Sequence, residues 1–175
     1  GLHGDNSMDL LRSNGGTPFD WVPSDIKKID HIIDDLDPEY LYALHLKIHL
    51  VEPQMFQPQI GVLSETSDAL YNQIETDAVG MAHLKHMPGH AFYMISRWSD
   101  ATNANLVSIQ MDRDYFEACP NAKTVAGDGY NQFYFYNYFL HKHHFLYWSA
   151  AIEGKSELVI QTGKQMFDEC TILES

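Results

Sequence analysis

Residues 130–148 read YNQFYFYNYFLHKHHFLYW. The period assigned to this stretch decides the fold. It holds ten of the chain's 22 aromatic residues and three of its ten histidines. Tyr134, Tyr136 and Tyr138 fall on one alternation, and Phe133, Phe135 and Phe139 on the other. Aromatics on both sides of a two-residue repeat predict a central strand over about 131–140 that wants cover on both faces. The basic HKHH, 141–144, then reads as the turn of a hairpin, with FLYWSAAI returning. The Phe side is expected in the dry core. The Tyr side, with Tyr147 and Trp148, is the candidate recognition surface, because tyrosine suits places that are apolar at one end and wet at the other.

Working outward, HAFYMISRW and LVSIQMDR are strand-like runs joined by the polar SDATNAN, which predicts a second hairpin. Upstream, Leu44, Leu46, Ile48 and Leu50 alternate with His45, Lys47 and His49, a further strand signal with an imidazole-bearing face. The stretch VEPQMFQPQ carries two prolines and suits a loop or edge strand. Three segments read as helices. The first runs from a Ser24 cap to Asp37-Pro38, with Ile26, Ile29, Ile32, Ile33 and Leu36 at helical spacing. The second covers 64–79 and the third 155–169. Two consecutive hairpins predict an α+β fold. It would hold an antiparallel sheet of about four to six strands, with helices packed mainly on one face. Residues 1–20, rich in Gly, Asn and Ser, are expected as a loosely ordered N-terminal arm, and 21–175 as a single α+β domain.

Charge narrows the partners. With 24 acidic and 11 basic side chains, the formal net charge is −13. Phosphate backbones and anionic membranes would be repelled, so no nucleic acid is expected. No apolar run reaches the length of a membrane span. No leader is visible, and the GLHG start suggests a cleaved tag or a processed end. The expectation is a soluble protein, cytoplasmic or exported with its leader removed. Cys119 and Cys170 match neither a redox motif nor a disulfide framework. Cys119 has no local nucleophile signature. No phosphate-binding glycine loop or calcium loop occurs. The carboxylates at Asp34, Asp35 and Glu117 read as solvated helix faces.

Histidine supplies the remaining chemistry. His83, His86 and His90 are spaced three and four apart, which on a helix puts imidazoles on one face. The end of this run, HMPGHA, resembles the HExxHA of zinc-dependent metalloproteases. Met87 stands where that family needs a general-base Glu, so protease chemistry is rejected. Pro88-Gly89 reads as a turn that ends a helix at His86 and starts a strand at His90. Metal binding without protease chemistry stays open for His83, His86 and His90, with His45 and His49 from the polar strand face. A second histidine set is His141, His143 and His144. No spacing matches a structural zinc pattern.

These readings lead to a non-catalytic binding or interaction domain. Its Tyr134, Tyr136, Tyr138, Tyr147 and Trp148 face would take an apolar small ligand, a protein partner or a second copy of the chain in a homodimer. No cofactor is expected on that reading. The first alternative is a metal-dependent enzyme using a divalent metal held by the histidines. The second is an acidic adaptor or inhibitor of a basic protein.

Overall fold

Burial along the aromatic stretch follows a helix. Phe135, Phe139, Lys142, His143, Leu146, Ser149 and Ala150 are buried. Those positions advance by three and four residues, with the adjacent pairs 142/143 and 149/150 sharing one side, as 3.6 residues per turn requires. A strand would have sent Lys142 and His143 to opposite faces. The computed structural model describes residues 21–52, 60–78, 80–119 and 134–172. Among these there are seven α-helices and no strand. The expected α+β fold and its antiparallel sheet are therefore corrected to an all-helical architecture. The arm over residues 1–20 lies outside the described residues. No helix among the described residues is long and apolar enough to cross a membrane.

The chain divides into two compact units, residues 1–73 and 74–175. In the first, α1 spans Val22–His31 and continues as one π-helical turn, Ile32–Leu36. It stops at Asp37, which is extended (φ −155°, ψ 98°) because Pro38 follows. The start is Trp21 rather than the expected Ser24, with Pro23 inside the first turn. Helix α2 spans Leu41–Val51 and α3 spans Ile60–Gln73. Val22 and Ile29 of α1 pack with Ala43 and Leu50 of α2, flanked by Ile26, Ile33 and Leu46.

Helix α2 is the stretch expected as an alternating strand. Its buried residues are Ala43, Leu44, Lys47, Ile48, Leu50 and Val51. That set is one broad helical face, and it contains Lys47, which alternation had placed with the histidines. The Lys47 Nζ lies 2.9 Å from Asp30 Oδ1 on α1. Apolar residues at 44, 46, 48 and 50 imitate a two-residue repeat because most of the circumference of α2 is apolar.

In the second unit, α4 spans Ala82–Met94, α5 Trp98–Ala118, α6 Leu140–Ile152 and α7 Ser156–Ile172. A π-helical turn, Phe135–Phe139, leads into α6. The two expected hairpins are thus α4 with α5, and the π-turn with α6. HKHH is not a turn but the first full turn of α6. Helix α5 packs on α4 and on α6, and α6 packs on α7. Close approach comes from small side chains: Ala101, Thr102, Ala104, Asn105 and Ser108 of α5 are all buried. On α4 the matching feature is Gly89, where a Cβ would sit 2.9 Å from Asn105 Nδ2. Pro88 lies inside α4. It has no N–H for the Leu84 carbonyl, yet the helix runs through it because both neighbours are packed. The expected Pro-Gly turn is therefore helix, and His90 sits on α4 instead of opening a strand.

Phe135, Phe139, Ile109, Phe116 and Leu146 form the aromatic core of this unit. Beside it, Lys142 Nζ donates to Asp112 Oδ2 at 2.5 Å, and both side chains are essentially inaccessible. Tyr134 Oη donates to Asp112 Oδ1 at 2.7 Å. Burial pushes the Lys142 ammonium below its ordinary value, while the Asp112 carboxylate pulls it back up. Burial, then Asp112, raises the Tyr134 hydroxyl above the ordinary phenol range.

Candidate metal centre

Helix periodicity brings together imidazoles that a strand would have separated. His86 and His90 lie one turn apart on α4, and their Nε2 atoms are 2.9 Å apart. His141 of α6 adds a third Nε2, 3.1 Å from that of His90. The three ligand nitrogens all lie within 4.8 Å of one another. Around a tetrahedral ion with metal–nitrogen distances of about 2.0–2.1 Å, neighbouring nitrogens sit roughly 3.3–3.4 Å apart. The His86–His90 and His90–His141 contacts therefore need to open by only a few tenths of an ångström for those nitrogens to share one ion.

The proton positions can be assigned from the network. Asn105 Nδ2 donates to the Ala101 carbonyl at 2.7 Å, which turns Oδ1 toward His86. His86 Nδ1 lies 2.6 Å from that oxygen and donates to it. In the neutral ring the Nε2 is then a bare lone pair aimed at His90. Burial holds the His86 imidazole well below its ordinary value, and the neighbouring His90, His141, His83 and Lys142 act in the same direction. The ring is thus neutral at physiological pH. The single Nε2 proton that His90 can carry cannot serve both 86 and 141. His90 Nε2 therefore offers a full two-centre hydrogen bond to only one of the two nitrogens at a time.

Burial grades across the triad. His86 is fully buried, whereas His90 and His141 are half-buried. Phe145, one turn beyond His141, packs against all three rings, with centroids 4.0 Å from His90, 4.9 Å from His141 and 5.5 Å from His86. Among the described residues the cluster contains no carboxylate.

The other expected site residues distribute differently. His83 lies 6.1 Å from His86 between ring centroids and stands edge-on to Tyr138 at 4.6 Å, outside the triad. His143 turns inward and donates from Nδ1 to the Phe139 carbonyl at 2.9 Å. His144 is exposed and accepts from Trp148 Nε1 at 2.6 Å. His141, His143 and His144 therefore share no site. His45 and His49 form their own pair on α2, with Nε2 atoms 3.0 Å apart.

The tyrosine face expected on a sheet does not assemble, since no strand occurs among the described residues. Tyr134 and Tyr138 stack one turn apart at 5.3 Å. Tyr136 lies two residues away, across the helical turn, and is 49% exposed. Tyr147 is half-buried, and Trp148 is exposed beside His144.

Sequence reasoning missed Asn105, Phe145 and the pairing of His141 with His86 and His90. The spacing of four between His86 and His90 was visible, but the contact between α4 and α6 spans 51 residues and has no local signature. No protein-family model, curated protein or solved structure matches this chain.

Proposed function

We propose that this chain is a metal-dependent enzyme in which His86, His90 and His141 hold one divalent transition-metal ion. The observation that carries the reading is the convergence of three Nε2 atoms at 2.9 and 3.1 Å, with the His86 tautomer fixed by Asn105. A histidine ligand whose far nitrogen is held by a polar side chain is the usual outer support of a metal site. Imidazole favours zinc, copper, iron and nickel over magnesium or calcium. Three protein ligands leave a tetrahedral ion one position for water or substrate, the arrangement of catalytic rather than structural zinc. An ion so held supplies Lewis acidity and an acidified water without a neighbouring carboxylate base. Phe145 supplies an apolar wall beside the His90 and His141 rings. The acidic chain favours cations in general.

The test is elemental analysis of tag-free protein dialysed against zinc and then against buffer. One ion per chain should be retained at the triad and lost in His90→Ala and His141→Ala. Loss of a ligand should weaken binding by more than the ~10–100-fold typical of outer-shell changes. A folded wild-type protein that retains no ion sensitive to these substitutions would sink the proposal.

A further inference from the structure

The pair on α2 repeats the local geometry of the pair on α4. His45 and His49 have Nε2 atoms 3.0 Å apart, against 2.9 Å for His86 and His90. Their rings stand edge-on at a centroid distance of 4.7 Å and 74°, against 4.7 Å and 79°. We propose that His45 and His49 form a second metal site, a two-imidazole clamp that takes one copper(II) or zinc ion. This does not rest on the trihistidine reading, since every atom it uses lies on α2.

Two nitrogens one helical turn apart can meet one ion only if the helix is held in register. Helix α2 is held. Leu44 and Ile48 are buried beneath the neighbouring positions, and Lys47 ties the helix to Asp30 of α1 at 2.9 Å. Both imidazoles are half-buried, so part of their rotamer freedom is already lost before any ion arrives. The rings are also close enough that their facing nitrogens share at most one proton, as in the triad. Bis-imidazole sites hold copper(II) best among divalent first-row ions, with zinc next to it in the series. The remaining coordination positions go to water or a small exogenous ligand.

The experiment is a copper(II) titration of the full chain, followed by electron paramagnetic resonance and calorimetry, with circular dichroism as the check on helicity. Wild type should take up two ions in two distinguishable steps. His45→Ala with His49→Ala should remove one step, and so should the milder His49→Gln alone. The combined His86→Ala, His90→Ala and His141→Ala variant should keep the step assigned to α2. Replacing His3, His31 and His144 by Ala should leave both steps. A wild type that saturates at one ion, with that ion indifferent to His45 and His49, overturns the second site and spares the first. Loss of both steps in the His3, His31 and His144 variant overturns both. If the α2 step survives while the triad substitutions change nothing, the trihistidine reading is the one that fails.

Discussion

Two five-residue helical turns each hold a histidine pair: HLKIH on α2 and HMPGH on α4. At the level of the pair they are nearly superimposable in their distances, 3.0 and 2.9 Å. Between the histidines they differ at every position. On α2 the third residue is Lys47, which crosses to Asp30, and the fourth is Ile48, which fills the core. On α4 the third is Pro88, which gives up a backbone hydrogen bond, and the fourth is Gly89, which admits Asn105. Spacing alone sets the distance within a pair. What packs against the intervening residues sets how many further ligands and supports the pair acquires. Large residues hold α2 down by its own side chains. Small ones let α5 come close to α4, and Asn105 reaches His86 from there.

If that contrast is right, the α4 site should fail when its tertiary frame fails. The largest effect is expected at Lys142, the neighbour of His141, whose ammonium is buried against Asp112. Lys142→Met leaves the carboxylate of Asp112 in the interior without its ammonium partner, with the Tyr134 hydroxyl still donating to it. Breaking one side of a buried pair costs about 3–5 kcal/mol. Chemical denaturation should show that loss, and the triad ion should be lost with it. The double change Lys142→Met with Asp112→Leu should recover much of the stability, because a well-packed apolar pair replaces the ionic one. A single Lys142→Met that unfolds at the wild-type midpoint would show that α6 is held by something else.

The contrast also explains which parts were legible in the sequence. The helix ending at Pro38 was readable because a proline stop and a 3.6-residue stripe are local signals, and the final helix was readable as a helix although Ile160 and Phe167 of its expected core set are exposed. The sheet was a misreading with a definite cause. Phe135/Phe139, Tyr134/Tyr138 and His45/His49 are all spaced by four, a number that fits both a strand face and a helix face. The adjacent buried pair Lys142 and His143 would have separated the two periods. A sequence reading puts HKHH at a wet turn because those residue types are rarely fully buried. Pro88-Gly89 misled in the same way. Their turn propensity is overridden by packing on α5, which a single sequence does not display. The histidines of α4 were therefore found by type and spacing, while the third ligand and the Asn105 support depended on contacts between helices.

A smaller effect separates ligand from support. Asn105→Ala removes the acceptor for His86 Nδ1 without touching an Nε2 atom. His86 then loses the bond that fixes its tautomer, and outer-shell losses of this kind weaken metal binding ~10–100-fold. Calorimetry with zinc should show that drop at the triad, while the α2 pair keeps its affinity. Equal weakening at both pairs, or none at either, would break the distinction between a pair set by spacing and one supported by packing.

The smallest expected effect tests whether helix quality matters to the α4 site at all. Helix α4 closes at Ser96, which has φ 65°. Arg97 N–H returns to the Phe92 carbonyl at 2.8 Å, and Ser96 N–H to that of Tyr93 at 3.3 Å. Helix α6 closes by the same pair of bonds, from Lys155 to Ala150 and from Gly154 to Ala151, but uses glycine, at φ 73°. Serine in that left-handed position is strained by about 1–2 kcal/mol relative to glycine, partly offset by the unfolded-state entropy that glycine adds. Ser96→Gly should therefore stabilise the chain by somewhat under ~1 kcal/mol and raise Tm by about 2–4 °C at most. Zinc affinity at the triad should not move, because the register of His86 and His90 is set by Gly89 against Asn105 and not by the end of the helix. A change in affinity on Ser96→Gly would mean that local helix quality, as well as packing, positions these two ligands.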